Sequence, residues 1–297
     1  MKTPILFDIK VNKPELFTKP KNLLSKGATN AKTAKNTLET YILYLAPARQ
    51  NSKGINLCPK ASGCIKACLY TAGRGKFSNV QKARINKANY FVYDKPGFIQ
   101  QLKSELIKIN NKAEKTGSKV AIRLNGTSDI DFIYLLMKYG QINPFELKNL
   151  IYYDYTKIPG KVKKYINEPR YHLTFSRDET NAEYIPGLLK QGVNVSVVFN
   201  GDLPRTYWGF KVVDGDKTDI EMIYNKGVIL GLRAKGDAKK DTTGFVVHIK
   251  ETKKPERFTY YNFLENEAKQ KAGRSLDQLS PNEYTALKNE RFLNQLR

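Results

Sequence analysis

Seven short runs of apolar, β-branched and aromatic residues recur along the chain, at 41–45, 120–124, 150–153, 171–175, 193–199, 228–232 and 245–249. Each has the length and composition of a strand. Between many of them lie segments with helical spacing. Phe98, Leu102, Leu106 and Ile109 form one stripe, and Ala182, Ile185 and Leu189 another, with lysines on the remaining faces. Near-continuous apolar strands joined by amphipathic helices are what a parallel sheet covered by helices requires. The expected class is α/β, as a partial or complete β/α barrel, with an open doubly wound sheet as the other arrangement of the same pieces.

The alternation fails between Phe199 and Val228. A long segment there, holding Trp208 and Asp214-Gly215-Asp216, replaces an obvious helix and is expected to be a loop over the site. Residues 233–244 are polar and contain glycine, so the last two strands are expected to pair as an antiparallel hairpin that leaves the barrel incomplete. Beyond Lys250, Ser280-Pro281-Asn282-Glu283 has the form of a capping box with proline at the first helical position, followed by Tyr284, Leu287 and Phe292. The expected organisation is a basic N-terminal arm over 1–40, a barrel-like domain over 41–249 and a C-terminal helical appendage over 250–297.

Charge narrows the partners. Lys and Arg number 51 against 28 Asp and Glu, a formal +23 in 297 residues, while 40% of residues are hydrophobic. That apolar content belongs to a folded domain, so the charge decorates a globule instead of a disordered tail. A globule this basic repels itself unless a polyanion neutralises it, and nucleic acid, DNA or RNA, is the expected partner. Arg74, Lys76, Phe77, Lys82, Arg84, Lys87, Tyr90 and Phe91 mix the residue types that contact phosphates and stack on bases, although aromatics at helical spacing more often belong to a core. No apolar run approaches the ~20 residues that cross a bilayer. The apolar stretch at Met1–Asp8 ends too soon for a signal peptide, and a cytoplasmic protein without a membrane partner is expected.

The chemistry is concentrated in Cys58-Pro59-Lys60-Ala61-Ser62-Gly63-Cys64-Ile65-Lys66-Ala67-Cys68. These are the only cysteines of the chain, spaced C-x5-C-x3-C in the loop that follows the first of the seven runs. An odd number within eleven residues argues against a disulfide framework. Three thiolates in one short loop suit a four-iron–four-sulfur cluster (4Fe–4S) with one open iron, or a zinc with a fourth ligand. The plainer reading is three small, partly buried thiols that lie close together. Iron–sulfur is preferred because His172 and His248, the two histidines, lie far along the chain. Flanking Lys60, Lys66, Arg74 and Lys76 are expected to lower the thiol pKa values and so favour metal binding.

The run from Leu45-Ala46-Pro47 through the three cysteines to Ala72-Gly73-Arg74-Gly75 resembles a bacteriophage family of cysteine-motif proteins, similar to the phage gene product 88 proteins. The likeness extends through Arg123-Leu124-Asn125-Gly126-Thr127-Ser128-Asp129, Tyr153-Asp154-Tyr155-Thr156-Lys157 and Gly231-Leu232-Arg233-Ala234-Lys235-Gly236. It implies a phage source, with the host cytoplasm as the compartment. A more distant resemblance is to radical S-adenosylmethionine enzymes, partial β/α barrels with a three-cysteine 4Fe–4S loop after the first strand. That resemblance implies S-adenosylmethionine as cofactor. The spacing here is not their C-x3-C-x2-C, Ala67 stands where they carry an aromatic, and no glycine-rich methionine-binding segment is found, which argues against use of that cofactor.

In a parallel β/α sheet, ligands sit beyond the carboxyl ends of the strands. Polar residues just after the apolar runs are therefore the site candidates: Asn125, Ser128 and Asp129; Asp154, Thr156 and Lys157; Ser176, Arg177 and Asp178; Asn200 and Asp202; Arg233 and Lys235. Arg123 stands inside an apolar strand and must meet an anion or carboxylate, because burying it unpaired costs several kcal/mol. Arg123, Asn125, Asp129, Asp154, Lys157, Arg233 and Lys235 are the expected catalytic set, with Cys58, Cys64, Cys68 and Arg74 at the cofactor. Most of the aspartates and serines could equally cap helices or make turns, and the histidines suit packed core positions. Three functions follow. The first is an iron–sulfur, radical-enzyme-like protein acting on nucleic acid or a nucleotide. The second is a metal-stabilised nucleic-acid-binding protein without turnover. The third is a metal-dependent nuclease or replication protein using Asp214, Asp216 and Asp219.

Overall fold

The computed structural model describes residues 16–29, 34, 36–66, 68, 73–218 and 220–249. The strands in chain order are β1 (Leu24–Lys26), β2 (Glu39–Leu43), β3 (Val120–Arg123), β4 (Leu150–Thr156), β5 (Tyr171–Ser176), β6 (Asn194–Asn200), β7 (Thr206–Tyr207), β8 (Phe210–Asp214), β9 (Ile229–Arg233) and β10 (Val246–His248). The helices are α1 (Ser78–Tyr93), α2 (Lys95–Lys115), α3 (Phe132–Gly140), α4 (Pro159–Tyr165), α5 (Ile185–Lys190) and α6 (Glu221–Tyr224). All seven apolar runs are strands. The strands join one sheet in the order β1-β2-β3-β4-β5-β6-β9-β8-β7, with β10 against β6.

From β2 to β6 the strands lie side by side in chain order, each parallel to the last. This is the winding that a barrel would have, but the sheet is not closed: β1 ends it on one side and β7 on the other. Within the stretch expected as a basic arm, Leu24–Lys26 form β1, which pairs antiparallel with β2, Leu24 opposite Leu43. Two further expectations are corrected. The segment after Phe199 does not stay a loop. β7 and β8 form a hairpin whose second strand adds parallel to β9, and Tyr207, Trp208, Phe210 and Val212 supply apolar surface that packs on β6 and β9. β10 is not the partner of β9 but pairs parallel with β6, Val246 opposite Val198. β5 occupies the first half of that flank of β6, through Ser176 opposite Ser196, and β10 takes over where β5 stops. The helical appendage expected over 250–297 lies outside the described residues.

Strand pleating separates two apolar layers. Tyr41, Leu43, Val120, Ile122, Leu150 and Tyr152 point to the side covered by α2 and α3. The intervening Ala121, Tyr153 and Leu230 point the other way, onto Ile220 and Met222 around α6. α2 starts where the Asp94 carboxylate accepts from the Gly97 amide, with Pro96 in the first turn. It buries Phe98, Ile99, Leu102, Leu106, Ile109 and Ala113, the expected stripe with two additions. α3 starts on Asp131, which accepts from the Tyr134 amide, and ends on Gln141 in the left-handed region at φ 52°.

Candidate functional site at the carboxyl rim

The loop that follows β2 runs back over the carboxyl ends of β3, β4 and β5. Three contacts seat it. Asp129 N–H, in the loop after β3, donates to Leu57 O at 2.9 Å. Cys58 Sγ lies 3.7 Å from Thr127 O and accepts from Ala48 N–H at 3.4 Å. Gly63 N–H donates to Glu179 Oε1, just past β5, at 2.7 Å. The approach at Gly63 is close enough to require glycine, because a Cβ there would run into the side chains of Thr243 and Glu179. The loop before β10 is held by Arg177, whose guanidinium donates to Phe245 O at 2.8 Å and to Gly244 O.

None of Cys58, Cys64 and Cys68 is disulfide-bonded, and all three are partly buried. Burial pushes the Cys58 thiol up to about 12, against the amide donated by Ala48, and the charges of Cys68, Asp129 and Cys64 push it further up. Burial also raises Cys64, opposed by Lys157 and aided by Asp178 and Glu179. The expected lowering by Lys60, Lys66, Arg74 and Lys76 is therefore corrected for these two thiols. Desolvation outweighs nearby cations, and the cation that acts on Cys64 is Lys157, contributed from the end of β4. Among the described residues, no three His, Cys, Asp or Glu side chains converge as a formed metal site.

The polar residues of the rim are tied to one another. Asp154 is 1% exposed and accepts from Asn125 N at 2.7 Å, Asn125 Nδ2 at 3.1 Å and Tyr171 Oη at 3.0 Å. Burial raises its pKa against the pull of Lys161 and Arg123. Asn125 also holds Ser128 Oγ and Ile130 N, so it organises the turn after β3. Asp129 accepts from Thr156 Oγ1 at 2.8 Å, Lys157 N at 2.8 Å and Lys161 Nζ at 3.4 Å. Lys157 Nζ pairs with Asp178 at 2.9 Å. Burial would raise Asp178, but Lys157 and Thr180 leave it below the usual carboxylate range. Arg123 lies with its guanidinium 4.8 Å from the centre of the Tyr155 ring and donates to Asn125 O at 3.3 Å. Asp154 is the carboxylate whose proton affinity it lowers.

Arg233 and Lys235 stand elsewhere along the rim, bound to the acidic turn after β8. Arg233 pairs with Asp214 at 3.1 Å and Lys235 with Asp216 at 2.6 Å. Two residues of the expected catalytic set and two of the aspartates expected to hold a metal thus neutralise each other, and Asp219 lies outside the described residues. Arg74 is exposed, in a short turn before α1. His172 faces the α6 side early in β5, its pKa lowered by burial and by Lys226, and His248 contacts Asn200 at 3.1 Å. A separate groove, lined by Lys19, Lys21, Gln101, Glu105 and Lys108 among others, shares no residue with the rim.

The rim thus brings together Cys58, Cys64, Asn125, Asp129, Asp154, Lys157 and Arg123, and leaves Arg233 and Lys235 with the acidic turn. Sequence reasoning missed Glu179 and Gly63. The available signal was a Ser-Gly pair inside the cysteine run, which marks a close backbone approach. Among the described residues no helix is long and apolar enough to cross a membrane. The family model described as Gene product 88 matches residues 16–249. No curated protein and no solved structure matches the chain.

Proposed function

The chain belongs to the Gene product 88 family, a family of phage proteins, and from that premise and the rim we propose a thiolate-ligated metal protein acting on nucleic acid or a nucleotide. Iron–sulfur is the first choice of centre and zinc the alternative. One observation carries the reading: the loop bearing all three cysteines is seated on the carboxyl rim of the parallel sheet, beside Asp129, Lys157 and Asp178, where α/β folds bind ligands. The donor set is right in kind, three thiols from one loop, with an amide already donated to Cys58 Sγ. Among the described residues the thiols do not converge as a formed metal site, so the reading rests on the kind and place of the donors. When bound, a 4Fe–4S cluster would supply one-electron reduction at the rim. The chain itself supplies position and charge. The Asp129–Lys161 and Lys157–Asp178 pairs fix the loops beneath, and Arg123 on Tyr155 presents a cation on the adjacent sheet face.

Purification without oxygen, followed by iron, sulfide and zinc analysis, tests this directly. The wild type is expected to carry metal in fixed stoichiometry and Cys64→Ser to lose most of it. A metal-free wild type, or a variant with full metal content, overturns the reading. A second reading, nucleic-acid binding without turnover, is favoured by the formal +23 alone. The nuclease reading draws no support from the rim, since Asp214 and Asp216 are matched by Arg233 and Lys235.

A further inference from the structure

The stretch leading into β1 is tied down on both neighbouring helices. Phe17 stacks on Tyr90 of α1, with ring centres 4.8 Å apart. Thr18 is held by Asn86, which accepts from its N–H at 2.7 Å and donates to its carbonyl at 2.6 Å. Gln101 of α2 donates to Pro20 O at 2.9 Å, and Lys87 of α1 donates to Leu23 O at 2.6 Å. Glu105 of α2 takes the Leu23 and Leu24 amides, one on each oxygen, at 2.7 and 2.9 Å. Backbone fixed in this way carries Lys19 and Lys21, both exposed, in one place.

Between this stretch and α2 runs an open groove of about 490 Å³. Lys19, Lys21 and Asn22 line it from one side, and Ser104 and Lys108 from α2. The carboxylate in its wall is Glu105, whose oxygens are already taken by the Leu23 and Leu24 amides and by Gln101. The wall therefore holds three ammonium groups and one carboxylate that is engaged with backbone. Elsewhere exposed lysines find acidic partners: Lys112 pairs with Glu39, Lys164 with Asp131 and Lys235 with Asp216. Among the described residues no ion pair takes up Lys19, Lys21 or Lys108. Like charges held together on fixed backbone repel, and a bound anion relieves that repulsion.

We propose that this groove binds the phosphodiester backbone of a nucleic acid, through Lys19, Lys21 and Lys108 with Asn22 and Ser104 beside them. The inference rests on the nucleic-acid reading above and gives part of the formal +23 a place on the molecule, apart from the cysteine loop. The make-up of the wall selects the backbone over the bases. It has no aromatic ring to stack on a base and no guanidinium fork to read one. Lysine meets phosphate as a point charge, and asparagine and serine side chains bond phosphate oxygens without regard to sequence. The groove thus positions the polymer, and its hold is independent of sequence and steeply dependent on salt.

Fluorescence anisotropy of the full-length protein tests this, with a short labelled duplex made once as DNA and once as RNA of the same sequence, over a series of salt concentrations. The groove variant carries Lys19→Gln, Lys21→Gln and Lys108→Gln. A comparison variant, with Lys211→Gln, Lys217→Gln and Lys226→Gln, removes the same charge from exposed lysines around β8 and α6. The groove variant is expected to lose about tenfold or more in affinity at low salt and to flatten the slope of log affinity against log salt by roughly 2–3 on DNA. The comparison variant is expected to keep the wild-type slope. A loss confined to one duplex names the polymer that the groove fits and upholds the assignment. An unchanged slope in the groove variant, or equal losses in the two variants, overturns the groove and leaves nucleic-acid binding to the surface as a whole. No binding of either duplex by the wild type overturns both. The substituted side chains are exposed, and circular dichroism melting checks that the variants fold. If the triple groove variant does not fold, Lys108→Gln alone is expected to lower the slope by about 1, and an unchanged slope there overturns the assignment equally.

Discussion

A thiolate is both the nucleophile and the metal ligand, so the environment of Cys58 decides what it does at neutral pH. Its pKa, raised by burial to about 12, keeps it protonated. In the folded, metal-free protein Cys58 is therefore expected to resist iodoacetamide at pH 8 for times that fully alkylate the unfolded chain, as peptide mass spectrometry would show. Equal rates would mean that the loop is not seated. The sign for stability follows. The folded state holds this proton more tightly than the unfolded one, so the contribution of Cys58 is intact below the ordinary thiol range and is lost as pH rises toward 12. Metal uptake must release that proton, so affinity is expected to rise with pH. Residue identities were legible from sequence where one chemistry dominates. Three cysteines in a loop, an arginine in an apolar strand and a histidine early in β5 all stand where expected. Their electrostatics were not legible: flanking lysines suggested acidic thiols, but desolvation depends on which loops close over them, and that information is spread over Thr127, Glu179 and Thr243.

At the scale of elements, continuous apolar runs such as 120–124 and 193–199 identified their strands because buried parallel strands carry no polar face to confuse the pattern. Pairing was harder. The approach to β10 looked like a hairpin turn, yet the turn is built for a different purpose. The Asp241 carboxylate accepts from Val246 N at 2.9 Å and Thr243 Oγ1 at 2.7 Å, and this aims β10 at β6. Burial would raise the pKa of Asp241, but the Val246 and Thr243 donors overcome it and leave it lowered. Its stabilising effect is thus present above the usual aspartate range and lost as pH falls through the lowered value. Asp241→Ala is expected to cost about 1–2 kcal/mol and to speed hydrogen exchange at Val246–His248 while α2 and α3 keep their protection. Uniform loss of protection would show that β10 is integral to the main core. The hairpin of β7 and β8 was unreadable for another reason. Two strands of two and five residues around Trp208 and Gly209, both at positive φ, give too short a pattern to separate from a loop.

For the whole molecule, winding order was legible and closure was not, because closure depends on edges that no local pattern encodes. Charge acts at this scale too. If the excess of cations grips nucleic acid, affinity must fall with salt as counterions return. Neutralising about five phosphates gives a slope of roughly −4 to −5 in log affinity against log salt for duplex DNA. Fluorescence anisotropy on a short labelled duplex between 50 and 300 mM salt, a range on the order of those used for such slopes, would measure it, and a flat response would turn attention to an uncharged ligand. The sheet ends at β1 on one flank and at β7 on the other. A ring of strands admits only what drops in from above. Among the described residues the row of strands stops at two flanks, so a long ligand laid along the rim would meet no strand closing its path.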